Sequence, residues 1–67
     1  MNATVNGARR HVADGATIGS LLRELGLEAP AGVAVAINAR VVRRGAFEEH
    51  QLRDGDTVEI IRAVSGG

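Results

Sequence analysis

One stretch of this chain carries a helical repeat. Ile18, Leu21, Leu22 and Leu25 fall at i, i+3, i+4 and i+7, which puts them on a single apolar stripe of an α-helix. Thr17 stands before the stripe as an N-cap and Gly26 after it as a C′ residue, while Arg23 and Glu24 point to solvent. Gly19 inside the helix costs up to ~1 kcal/mol relative to Ala, and its presence predicts a close approach of the helix to a sheet. A short helix with one apolar face must be covered, and the segments around it read as strands. The economical answer for 67 residues is one sheet with the helix packed across one face.

Met1 to Val5 alternates apolar and polar, Asn6-Gly7 is the strongest short hairpin signal, and Arg9 to Val12 reads as the returning strand. Asp14-Gly15 closes that hairpin. Beyond the helix, 27–32 with Pro30 is a connection, and Val33-Ala34-Val35-Ala36-Ile37 is apolar on both faces, which predicts a central strand. Asn38-Ala39 turns the chain into Arg40-Val41-Val42-Arg43, a short strand ending in charge as edge strands do. Ala46 to Leu52 is irregular or a short helical turn, with Phe47 and Leu52 as plugs into the core. Asp54-Gly55-Asp56 is a turn, and Thr57 to Ile61 is the final strand, parallel to the first. The expected class is α+β, with a mixed sheet of four to five strands and one helix on one face. That order and length are those of the β-grasp, or ubiquitin-like, fold.

Several functions are disfavoured by composition. One small domain leaves little room for an internal catalytic pocket, and no nucleophile–base pair is visible, so an enzyme is not expected. There is no cysteine, hence no thiolate and no Cys-based metal site, which fits a reducing compartment. Eight basic and eight acidic residues cancel, and Phe47 is the one aromatic, so neither a basic footprint nor stacking platforms mark a nucleic-acid binder. No apolar run suits a membrane span and no signal peptide is apparent, so a cytoplasmic chain, monomeric when free, is expected.

The end of the chain is the feature with chemical content. The last strand runs into Ala63-Val64-Ser65-Gly66-Gly67, so the chain divides into a domain over 1–62 and an expected flexible tail over 63–67. Glycine lacks a Cβ, so such a tail can thread a narrow channel and present an unhindered carboxylate. Ser-Gly-Gly is equally what an idle chain end looks like, and the tail alone does not decide between the two.

Taken together, Val35-Ala36-Ile37-Asn38, the 44–52 connection, Asp54-Gly55-Asp56 and the Gly66-Gly67 end resemble the thiamine-biosynthesis sulfur carriers of the ThiS family, over essentially the whole chain. Asp14-Gly15-Ala16-Thr17 and the Leu21-Leu22 pair share in the likeness. Arg43 stands where the family often has proline, and Phe47 where tryptophan is common. The resemblance implies that Gly67 is adenylated with ATP by an E1-like, ThiF-type enzyme and becomes a thiocarboxylate through a persulfide sulfur donor. It also implies delivery of that sulfur to a ThiG-type thiazole synthase, with Gly66, Ser65 and Val64 threading into partner active sites. No cofactor is expected on the chain itself. The MoaD-type small subunit of molybdopterin synthase shares fold and tail, and a ubiquitin-like modifier and a plain interaction domain remain further readings. Absence of lysine argues against a tag that polymerises on itself.

Docking on a partner needs a face on the domain. If Val35, Ile37, Val58 and Ile60 face the helix, then Ala34, Ala36 and Ile61 face outward, and Arg40 and Arg43 form the charged edge beside them. Arg44 extends that basic cluster. His11 and His50 lack ligand-spaced companions, Asp54 and Asp56 read as turn residues, and Glu48-Glu49 reads as solvated.

Overall fold

The computed structural model describes residues 1–27 and 32–62. The expected connection around Pro30 and the tail over 63–67 lie outside the described residues.

β1 (Asn2–Val5) and β2 (Ala8–His11) form the hairpin. Asn6 and Gly7 connect them with φ of 49° and 83°, the double positive φ of a type I′ turn. Positive φ recurs at Asn38 and Ala39 between β3 (Val33–Ile37) and β4 (Arg40–Val42). A 3₁₀ turn, Arg44–Ala46, opens the next connection, and β5 (Thr57–Arg62) closes the sheet. The strand order is β2-β1-β5-β3-β4, with β1 parallel to β5 and the other neighbours antiparallel. One helix against one face of this mixed sheet is the β-grasp arrangement. The middle position belongs to β5 rather than β3, which lies between β5 and the edge strand. β3 is nonetheless an interior strand, with Val35 and Ile37 buried in the core and Ala34 and Ala36 on the less covered face.

α1 (Ile18–Glu24) has every early N–H accounted for. The Ile18 and Gly19 amides donate to the carbonyls of His50 and Phe47 at 3.1 and 2.9 Å. Ser20 N–H donates to Thr17 Oγ1 at 3.1 Å, and Thr17 N–H donates to Ser20 Oγ at 2.9 Å, a reciprocal capping box. At the other end Leu27 N–H donates to the Leu22 carbonyl at 2.8 Å and Gly26 N–H to the Arg23 carbonyl at 3.0 Å. With Gly26 at φ 76° this is a Schellman stop.

Ile18, Leu21 and Leu22 are buried with Val5, Val35, Ile37, Val58 and Ile60, and Phe47 and Leu52 close the core from the 44–52 connection. Leu25 is partly buried, since its position coincides with the helix end. Gly19 marks a close approach, but to that connection rather than to the sheet: its amide meets the Phe47 carbonyl, and a Cβ there would fall on the Glu48 carboxylate. Leu52 N–H donates to the Ala16 carbonyl at 2.8 Å, which holds the connection against the helix start.

Candidate functional site

The register of the sheet decides which side chains share its outer face. Ala34 pairs with Ile61, and Ala36 pairs with Glu59 on one side and Val41 on the other. Opposed residues project to the same face, so Ile61, Ala34, Ala36 and Val41 run across three strands as a largely apolar band, with the exposed Glu59 beside it. Ile61 is 63% exposed and Val41 80% exposed, the large apolar side chains least covered among the described residues.

Arg40 does not belong to that band. It is paired with Ile37, a core residue, and so leaves the edge strand toward the helix side, where it borders a groove with His50 and Arg53. Arg43 is exposed just beyond the end of β4, at the rim of the outer face. Val41 is the residue that sequence reasoning left out. The turn at Asn38-Ala39 contained the signal: two turn residues pair Ile37 with Arg40 and therefore Ala36 with Val41.

Two asparagines and two aspartates build the frame behind this face. Asn38 Nδ2 donates to Asp56 Oδ1 at 2.9 Å, and Asn38 Oδ1 accepts from the Thr57 amide at 2.9 Å. Asp56 is buried and also accepts from the Arg53 amide at 2.8 Å, so it is more than a turn residue. Asp54, exposed, accepts from the Asn2 amide at 2.8 Å and ties the turn to β1. Asn6 holds Ile60 through both of its side-chain heteroatoms.

The helix side has a different character. Arg23 makes a two-pronged pair with Glu48, Nη1 to Oε2 at 2.7 Å and Nη2 to Oε1 at 3.1 Å. Hydrogen bonding to Arg23, reinforced by its charge, holds the Glu48 carboxyl below its ordinary value against a smaller opposing effect of desolvation. Glu48 is thus solvated but not unpartnered. Among the described residues, no group of three His, Cys, Asp or Glu could hold a metal ion. No helix among them is long and apolar enough to cross a membrane.

The ThiS family model matches residues 3–67, nearly the whole sequence. The chain belongs to the ThiS family. It is 33% identical over 67 residues to the sulfur carrier protein ThiS of Escherichia coli, with all of both chains covered. The crystal structure of the thiamine biosynthesis protein ThiS from Geobacter metallireducens superposes with a TM-score of 0.83 at 36% identity, again over 100% of each chain. A thiazole synthase of Paramagnetospirillum magneticum contains a region 33% identical over 67 residues; the chain spans 20% of that protein's length. The expected resemblance and β-grasp fold both hold. Val64, Ser65, Gly66 and Gly67 lie outside the described residues.

Proposed function

We propose that this chain is a sulfur carrier for thiamine biosynthesis and that the Gly67 carboxylate is the group that carries the sulfur. The observation that supports this most directly is the match to the ThiS family over residues 3–67, which runs through the terminal glycines. A carboxylate does not react with sulfur nucleophiles until it bears a leaving group. On an E1-like, ThiF-type enzyme, a carboxylate oxygen attacks the α-phosphate of ATP and releases pyrophosphate. The terminal sulfur of a persulfide then displaces AMP from the acyl carbon. A thiol cleaves the resulting S–S bond and leaves the thiocarboxylate. Gly67 suits this sequence because its acyl carbon is uncrowded.

In this reading the domain serves as the handle. Ordering each residue of a bound tail costs ~1–2 kcal/mol of backbone entropy, with glycine at the upper end, and Ser-Gly-Gly has little side-chain surface to offset it. The band Ile61, Ala34, Ala36 and Val41 is the docking face that makes up the difference, with Arg43 at its rim and Arg40 on the other side of the edge. A thiazole synthase with a region like this chain supports a ThiG-type synthase as the acceptor, because linking two proteins in one polypeptide is useful when they act in succession.

Intact mass spectrometry tests the reading. The chain is incubated with a ThiF-type enzyme, ATP, a persulfide donor and a thiol. A mass gain equal to replacement of one oxygen by sulfur, located on the C-terminal peptide, is the expected result. An unchanged mass, under conditions that thiolate Escherichia coli ThiS, removes the reading.

A further inference from the structure

The parallel pairing of β1 with β5 stops short. Thr4 opposes Thr57 and Val5 opposes Val58, after which β1 reverses at Asn6. On the other side β3 accompanies β5 as far as Arg62. Asn6 N–H donates to the Val58 carbonyl at 2.9 Å, so Val58 aims its backbone groups at β1. Ile60, two residues further along a strand, aims its N–H and C=O the same way, into the place where β1 has already turned off. Such groups beside a core need partners.

The Asn6 side chain supplies them. Oδ1 accepts from the Ile60 amide at 2.7 Å, and Nδ2 donates to the Ile60 carbonyl at 3.2 Å. A carboxamide presents the same donor and acceptor as a peptide group, so Asn6 prolongs the ladder by one position while its own backbone makes the turn. Two demands therefore meet at one residue. The turn requires positive φ, which Asn, Asp and Gly tolerate, and Ile60 requires an acceptor and a donor together. Asp lacks the donor and Gly lacks both.

The hairpin has no use for the carboxamide, since its backbone conformation is available to glycine. We infer that Asn6 is a positioning residue for the C-terminal tail: it clamps Ile60 on the side that β1 has left, and with β3 on the other side it holds the end of the strand from which Gly67 is delivered. The inference rests on the sulfur-carrier reading and deepens it. Ile61 lies in the docking face and Ile60 is held by Asn6, so the root of the tail moves with the docked domain. Gly67 is seven residues beyond Ile60, a reach of at most ~25 Å. Over that span the carboxylate must be delivered to within the ~3–3.5 Å separation of reacting atoms, so the strand from which it starts has to be held.

The test compares wild type with Asn6→Gly and Asn6→Asp. Both substitutions keep the turn, and Asn6→Asp keeps an acceptor for the Ile60 amide. Amide hydrogen exchange at Ile60 reads the clamp, and pyrophosphate release with the ThiF-type enzyme, as a function of carrier concentration, reads tail delivery. Faster Ile60 exchange in Asn6→Gly is expected. KM for the carrier should stay within about twofold, because the docking face is intact, while kcat falls about tenfold. Wild-type kcat in a variant whose Ile60 amide exchanges faster would overturn the inference and leave the carrier reading standing, as would a raised KM at unchanged kcat. No turnover by the wild-type chain itself would overturn both.

Discussion

Asn38 and Asp56 are joined side chain to side chain at 2.9 Å, and through this bond the turn between β3 and β4 is tied to the turn that launches β5. Asp56 is buried, and its other oxygen accepts from the Arg53 amide. Removing the carboxylate in Asp56→Ala leaves two donors without an acceptor, at about 1–3 kcal/mol for each that stays buried. Asp56→Asn keeps one acceptor and should fall between Asp56→Ala and wild type. Urea denaturation midpoints test this order. Equal midpoints for all three proteins would show that water replaces the carboxylate without loss.

Leu22 sits in the middle of the helix stripe and is buried in the main core cluster. Leu22→Ala should cost ~2–5 kcal/mol, the usual range for truncating a buried leucine. Native domains hold only ~5–15 kcal/mol in reserve, so this substitution should leave the chain close to its unfolding limit. Leu25→Ala should cost distinctly less, because Leu25 is partly exposed at the helix end. Comparable midpoints for the two variants would contradict the burial difference.

Gly19→Ala sets two effects against each other. A Cβ at this position meets the Glu48 carboxylate, the far end of a flexible side chain that can swing away. Swinging away breaks the pair with Arg23, which is exposed and so contributes little to stability. Replacing helical Gly by Ala returns about 0.5–1 kcal/mol. The expected outcome is unchanged or slightly raised stability, together with a Glu48 titration that moves back up toward the ordinary carboxylate value. In wild type the Glu48 carboxyl is held low, so its contribution is complete above the unfolded-state value and disappears as pH falls through the folded-state value. Gly19→Ala should lack that acid-side component. Carboxyl NMR titrations and midpoints at neutral and acid pH check both. A large loss of stability at neutral pH would instead assign the contact to the Phe47 backbone.

The elements that could be read from sequence are those written in local residues. Asn6-Gly7 marks a turn and Ile18, Leu21, Leu22 and Leu25 mark a helix face, because each signal spans fewer than ten residues. The hold of Asn6 on Ile60 spans 54 positions and leaves no periodic trace. Gly19 shows the same limit: a close approach is legible from the glycine, but its partner, 28 residues on at Phe47, is chosen by how the 44–52 connection folds back. On the outer face of the sheet, Ala34, Ala36 and Ile61 follow from simple alternation. Placing Val41 with them and Arg40 away from them required the hairpin register, which counting along one strand does not provide.

Ile61→Glu and Val41→Glu place charge in the apolar band without touching the core, since both residues are exposed. Unfolding free energy should change by no more than about 0.5 kcal/mol, as for most surface changes, while affinity for the ThiF-type enzyme falls. Arg43→Ala should give a smaller, salt-dependent loss, the behaviour of a rim charge, and Arg40→Ala less still, because it leaves the edge on the helix side. Titration calorimetry at two ionic strengths separates these cases. Affinity unchanged by Ile61→Glu would take the band out of the account.

Changes at Gly67 should separate chemistry from folding most sharply. β5 ends at Arg62, five residues before Gly67, so deletion of Gly67 should leave the midpoint of the domain where it is. If its carboxylate is the reacting group, the same deletion should abolish adenylation by drawing the carboxylate back by ~3.5 Å. One added residue should be as damaging in the opposite direction, because the reacting atom then overshoots by a similar distance and near-attack geometry tolerates far less. Gly66→Val should also fail, through crowding in the channel that must admit the tail. Pyrophosphate release measures the first step and the C-terminal peptide mass the second. Adenylation of the Gly67-deleted chain at the wild-type rate would mean that the reacting carboxylate lies elsewhere.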